Sequence, residues 1–345
     1  MLCRDRIQRH HDAGSPAPRS TDVAVVTMSQ ALNMALTEEM ARDERVFLIG
    51  EDIKDSTYGI TKGLWDTFGP KRVIGTPISE AAIAGAVLGA ASVGLRPVAE
   101  FMYMTFMMCA MDQVVNQAAK SKYMFGGKAV LPIVYRTMAG AGRANAAQHT
   151  QSLEAWFAHV PGLKIVMPTT AYDAKGLLKT SIRDDNPVIF IENKVQYATT
   201  RDEVPTTDYT IPFGQAAIRR TGKDVTIVAL QRMNEIALEA AEELSASGIE
   251  AEVIDPRTLV PLDLESIVGS VRKTHRVVIV HEAHERVGFG AELVAQIVQH
   301  AFDYLDAPPV RVANPNVPTP FNRTLEQLSI PSAAQVVQAV RGLMR

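Results

Sequence analysis

Apolar residues recur along this chain at two alternating spacings. Leu32, Ala35, Leu36 and Met40 follow a helical period and precede the continuous apolar run VFLIG at 46–50, which reads as a buried strand. The alternation continues with a helix opened by Glu80, a strand at 97–101, a helix over about 105–122 and a strand at 131–136. A Gly/Ala-rich loop then spans roughly 137–150, followed by strand 163–167, helix 170–183 and strand 187–192. Residues 196–214 lose this periodicity and gain Thr, Pro and charge, as a linker does. Beyond them, strands at 224–230, 251–256 and 276–282 alternate with helices at about 233–246 and 262–273. A last helix near 289–304 precedes a strand at 310–313. Strands alternating with helices imply parallel sheets covered on both faces. The pattern therefore predicts an α/β chain of two open, mostly parallel-sheet domains, over 23–200 and 215–345, joined by a linker over 201–214.

One segment breaks the amphipathic rule. From Ala81 to Leu95 the chain holds only small and aliphatic residues, so a helix here is apolar nearly all round and is expected to be buried. Gly85 and Gly89 lie four apart, and Ala81 and Ser92 extend the stripe. Each Gly costs a helix about 1 kcal/mol against Ala, which argues for a close backbone neighbour. Glu80 stands at the mouth of this helix. Either it complements the helix dipole, or it is a desolvated acid suited to trading protons near neutral pH.

Composition narrows the classes. The 345 residues are 47% hydrophobic and 21% charged, with a formal net charge of -3. That balance suits large cores or subunit interfaces and gives no basic face for nucleic acid. Two cysteines, Cys3 and Cys109, exclude a disulfide framework and favour a reducing compartment. Cys109, among Met107, Met108 and Met111, reads as a small core residue. Residues 1–22 carry four Arg and a Ser/Pro-rich patch, and Asp5 and Asp12 argue against a transit peptide. They read as a disordered leader, and Met28 could be the true start. The stretch His281-Glu282-Ala283-His284-Glu285 lacks the i, i+4 histidines of a helical zinc site and reads as a strand end at a subunit interface.

The motifs TPISEAAIAGAVLGAASVGLRPVAEF (76–101), EFMYMTF (100–106), YMFGG (123–127), AAQH ending at His149, PGLKIVMP (161–168), DAKGLLK (173–179) and RDDNPVIF (183–190) occur in a recognisable order. From about Met28 onward the chain resembles the beta subunit of the thiamine-diphosphate (ThDP) dependent E1 component of 2-oxo acid dehydrogenase complexes. The resemblance implies a transketolase-like pyrimidine-binding domain followed by a transketolase C-terminal-like domain. It places Glu80 as the acid that engages the cofactor's pyrimidine N1′ and Phe106 as the ring that stacks on it. Ile78 and Glu51 become further cofactor neighbours, with Asp52 an alternative to Glu51. It makes His149 a catalytic residue that either orients the substrate carboxylate or assists acyl transfer to a lipoyl group, with Arg143 a candidate anion partner. Ile133, Ser181, Ile182, Asp184 and Asn186 match positions where some relatives hold potassium, and an Asp-Asp-Asn turn before Pro187 accounts for them equally well.

The resemblance also defines what is missing. Such enzymes anchor a Mg²⁺-diphosphate with a GDG segment followed by an Asn-rich one, and neither is present here. That implies an alpha-subunit partner holding Mg²⁺, an α2β2 heterotetramer, and transfer of the acyl group to the lipoyl domain of an E2 core. The substrate would be a 2-oxo acid such as pyruvate, or acetoin, and the compartment a bacterial cytoplasm. Two rivals stand beside this reading: half of a split transketolase or deoxyxylulose-phosphate synthase, and a non-catalytic assembly subunit.

Overall fold

The computed structural model describes residues 22–345, so the expected leader falls almost wholly outside the described residues. The first half contains β1 (Val23–Thr27), β2 (Val46–Glu51), β3 (Val73–Thr76), β4 (Arg96–Tyr103), β5 (Val134–Ala139), β6 (Lys164–Val166), β7 (Val188–Asn193) and β8 (Arg201–Pro205). The second half adds β9 (Ala217–Arg220), β10 (Val225–Ala229), β11 (Ala251–Asp255), β12 (Thr258–Val260), β13 (Val277–His284) and β14 (Val310–Asn314).

Two main sheets result. The first has the order β12-β6-β7-β5-β4-β2-β3 and is parallel except for β12, which comes from the second half and pairs antiparallel with β6. The second has the order β14-β13-β10-β11-β9, parallel except for β9. Both are open α/β sheets, as the sequence pattern implies. The stretch expected as an irregular linker is partly regular: Arg201–Pro205 forms β8, antiparallel to β1, so the chain returns to its own N-terminal strand before crossing over.

Alternation along each strand builds the core. Phe47, Ile49, Ala99, Phe101, Tyr135 and Ile189 face one side of the first sheet, and that layer runs on into Val228, Ile254 and Ile279 of the second domain. Val46, Leu48, Val98, Val134 and Val188 face the other side. There they meet helices Met28–Arg42 and Ala171–Arg183, which pack on each other. The first of these helices starts where its sequence requires: Thr27 and Gln30 cap each other reciprocally. One apolar layer shared by both domains fixes their mutual position by hydrophobic burial.

Three further expectations are corrected. The Glu80–Ser92 helix buries Ile83, Ala84, Val87 and Ala91, but its small-residue side, including Ala81, Ala82, Ala86, Gly89 and Ser92, is exposed in this chain. An all-apolar helix need not be covered by its own chain. Cys109 is exposed rather than in the core. The segment Met104–Ala110 is a 3₁₀ helix, so its buried apolar positions repeat every third residue at Met104, Met107 and Ala110, leaving Met108 and Cys109 outside. The following Asp112–Ala118 has π geometry before α-helix resumes over Ala119–Met124, so the expected single helix over 105–122 is three segments of different pitch.

Candidate active site

In an open parallel sheet the carboxyl ends of the strands collect ligand-binding groups, because each strand there turns into a loop and a helix N-terminus. This chain follows that rule along four adjacent strands. Glu51 ends β2; Ile78 and Glu80 follow β3; Phe106 follows β4; His149 lies on the loop after β5. The order β5-β4-β2-β3 places them along one sheet edge, about 15 Å wide at the usual strand spacing.

The β2–β3 side carries the acids. Burial, the charge of Asp52 and the charge of Glu80 all push the Glu51 carboxyl above its ordinary range. Glu80 is the first residue of a thirteen-residue helix whose N-cap, Ser79, gives no side-chain cap. The first-turn N–H groups are thus free to favour a carboxylate nearby. Ile78 is 73% exposed, so this side is open to whatever covers it.

The β4–β5 side is aromatic. Tyr103, Phe106 and His149 meet pairwise edge to face, with ring centroids 4.7 Å apart for Tyr103 and His149, 5.4 Å for Tyr103 and Phe106, and 5.5 Å for Phe106 and His149. Such geometry sets the positive edge of one ring against the negative face of another and fixes the imidazole without a side-chain hydrogen bond. Tyr103 is anchored in turn by a 3.0 Å hydroxyl contact to Tyr58.

The His149 loop is held by its backbone. Ala141 N–H donates to Glu282 at 2.6 Å, and Gly142 and Ala144 N–H donate to Glu326 at 2.9 and 2.8 Å. Thr105 donates to Gln148 O and Lys194 to His149 O, each at 2.6 Å. Gly140, at φ +89°, allows this close approach: a Cβ there would lie 2.6 Å from Asn193 Nδ2 and 3.1 Å from Glu282. Arg143 is exposed on the same loop. Glu154, just beyond it, is buried with one carboxyl oxygen unpartnered, and burial pushes its pKa up to about 7.

Beneath the edge lies a buried charge network. Arg136 bonds Glu192 through two nitrogens and Glu100 through a third, each at 2.7 Å, and the Tyr197 hydroxyl donates to Glu192 at 2.5 Å. Arg136 is completely paired, which a buried guanidinium requires.

The residues matched to potassium lie on the opposite side of the domain. Arg96 donates to the carbonyls of Ile182 (3.0 Å), Arg183 (2.8 Å) and Asp184 (3.0 Å). Ile133 O accepts the N–H of Val188, and Ser181 Oγ bonds its own helix at Leu177 O. The Asp184 carboxylate binds Lys164 and the backbone and amide of Asn186, closing the turn before Pro187. Arg96 and Lys164 thus provide positive charge to some of these oxygens.

Sequence reading missed Tyr58, Tyr103, Glu154, Lys194 and Glu326, and it assigned Glu282 to a subunit interface. Within the chain, Glu282 joins the two domains. The usable signal was position: in Glu192-Asn193-Lys194 a polar triplet follows the apolar run VIF-Ile191 at the end of a buried strand.

Comparison with known proteins places the fold. Residues 24–200 match the family model "Transketolase, pyrimidine binding domain" and residues 214–336 match "Transketolase, C-terminal domain". The chain is 49% identical over 324 residues to the mitochondrial pyruvate dehydrogenase E1 component subunit beta of Caenorhabditis elegans, covering 92% of each. It is 48% identical to the beta subunit of the acetoin:2,6-dichlorophenolindophenol oxidoreductase of Cupriavidus necator, covering 93% of this chain and 98% of that one. A solved structure titled "Split gene transketolase, inactive beta4 tetramer" superposes with a TM-score of 0.74 at 26% identity, covering 92% of this chain. No helix among the described residues is long and apolar enough to cross a membrane. An acid-and-aromatic edge on a transketolase-type sheet, in a chain this similar to such subunits over nearly its whole length, makes this chain a member of the E1 beta-subunit family of ThDP-dependent dehydrogenases.

Proposed function

We propose that this chain, joined to an alpha subunit in an α2β2 heterotetramer, carries the pyrimidine half of a ThDP site. The assembled enzyme decarboxylates a 2-oxo acid such as pyruvate, or cleaves acetoin, and passes the acyl group to E2-bound lipoamide. The supporting observation is the edge itself: a carboxyl, an aliphatic side chain and an aromatic ring on adjacent strand ends, with Ile78 left 73% exposed. These groups suit an aminopyrimidine, which has polar nitrogens at its rim and apolar faces.

When bound, ThDP supplies the carbanion at its thiazolium C2. In this reading Glu80 holds a proton at the pyrimidine N1′, Phe106 stacks on the ring, and Ile78 and Glu51 complete the wall. His149, oriented by Tyr103 and Phe106, faces the substrate and handles charge or protons at its carboxylate or at the acyl acceptor. The diphosphate and Mg²⁺ belong to the partner, since this chain has no GDG segment. The low cysteine content supports a reducing cytoplasm as the compartment.

The test is ThDP/Mg²⁺ binding and turnover by this chain alone and co-expressed with an alpha subunit, across pyruvate, branched 2-oxo acids, acetoin and sugar phosphates. Activity confined to the mixture, on an acid or acetoin, is the expected result. Full activity from the chain alone overturns the split site, and preference for sugar phosphates makes it half of a transketolase.

A further inference from the structure

Lys194 follows β7 and is 1% exposed, in the floor of the His149 loop. A buried ammonium is costly unless several acceptors surround it. Here its nitrogen donates to one oxygen, the backbone carbonyl of His149 at 2.6 Å, and sits 5.6 Å from the centroid of the Tyr103 ring, within cation–π reach. Tyr103 is also the ring that packs edge-on against His149. One cation therefore touches both supports of the imidazole, its backbone and its ring partner. We infer that Lys194 is a positioning residue for His149, fixing the imidazole relative to Tyr103 and Phe106.

The charges around it are Glu282 on β13, Glu326 on the helix Arg323–Ser329 and Arg143 on the loop, with Tyr103 on β4 and His149 itself in contact. Burial lowers the Lys194 pKa to about 8, with the two glutamates opposing that shift and Arg143 adding to it. The sign follows. Below about pH 8 the ammonium holds the loop; above it, the neutral amine is a weaker donor and loses its attraction to the ring.

The inference rests on His149 acting in the proposed reaction, so its test has one arm that needs no activity. Amide hydrogen exchange in the full chain, wild type against Lys194→Met and Lys194→Arg, is read in segments 145–150 and 224–230. Lys194→Met is expected to speed exchange about tenfold in 145–150, the loss of a charge-assisted bond, and to leave 224–230 unchanged. In the assembled enzyme it should lower kcat/KM about tenfold or more. Lys194→Arg should keep most activity near neutral pH and move the alkaline limb of the kcat/KM profile from about 8 to beyond about 9. Unchanged exchange and profile in Lys194→Met overturn the inference. So does uniformly faster exchange across both segments, which marks plain destabilisation. Selective exchange changes in an assembly that turns over no substrate would uphold the Lys194 contact and overturn the proposed function instead.

Discussion

The two sheets share one architecture and use their strand ends in opposite ways. At the carboxyl edge of the first, Glu51, Ile78, Glu80, Phe106 and His149 remain at least partly open and make few polar contacts within the chain. At the corresponding edge of the second, several polar groups engage the first domain or its neighbours, while both ring nitrogens of buried His281 lack a hydrogen-bond partner. Gln231 Nε2 donates to Ile191 O at 2.7 Å, Asp255 and Asp173 share Arg219, and Glu282 accepts from Ala141. The difference teaches how a repeated fold divides labour: the polar groups of one edge make few contacts within the chain, while many of those of the other hold the two domains together.

Four substitutions can break or sharpen this contrast. On the open edge, Glu80→Gln removes a carboxylate whose structural role is confined to a helix N-terminus, so turnover of the assembled enzyme should fall about a thousandfold while folding and assembly persist. Steady-state kinetics beside thermal unfolding checks both, and a matching loss of stability would erase the distinction between the edges.

Where the edges meet, Glu154 gives a pH-dependent effect. Its folded-state pKa of about 7 lies above the ordinary 4.5, so the folded chain holds that proton more tightly than the unfolded one. The cost of ionising it is absent below 4.5, grows as pH rises and is complete above about 7. Glu154→Gln should therefore match wild type in acid and be more stable by up to about 3 kcal/mol at pH 8. Unfolding curves that stay parallel at every pH would show that Glu154 is already ionised in the fold.

On the committed edge, Glu282→Gln keeps the shape but weakens the acceptor for Ala141 and Asn193. A cost of about 2 kcal/mol in unfolding free energy is expected, with faster amide exchange at Ala141. Stability equal to wild type would move Glu282 to the uncommitted group. The smallest effect belongs to Phe106→Ala: loss of a ring stack worth about 1 kcal/mol should weaken ThDP binding several-fold to tenfold. Titration calorimetry on the assembled enzyme reads it, and unchanged affinity would remove Phe106 from the cofactor wall.

Much of this was legible in the sequence because its signals are local. Period and run length gave both sheets, and the order of motifs carried the family. What remained hidden depends on neighbours distant in sequence. Tyr103 sat inside a quoted motif but reads as core until His149 is seen against it. Lys194 and Glu282 are 88 residues apart in sequence and converge on one loop. Cys109 was misplaced because the residues around it adopt a 3₁₀ pitch that no periodicity of 3.6 can reveal.

The antiparallel strand β12 carries a practical consequence for anyone dividing the chain. It comes from Thr258–Val260 yet closes the first sheet beside β6, where Met167 N–H also reaches Arg257 O at 2.8 Å. A polypeptide stopped within 201–214 would contain every other strand of that sheet and leave β6 as a bare edge. Unpaired edges of this kind recruit strands from other molecules. Expressed alone, the first domain should therefore self-associate, and adding back a peptide spanning 255–262 should suppress it.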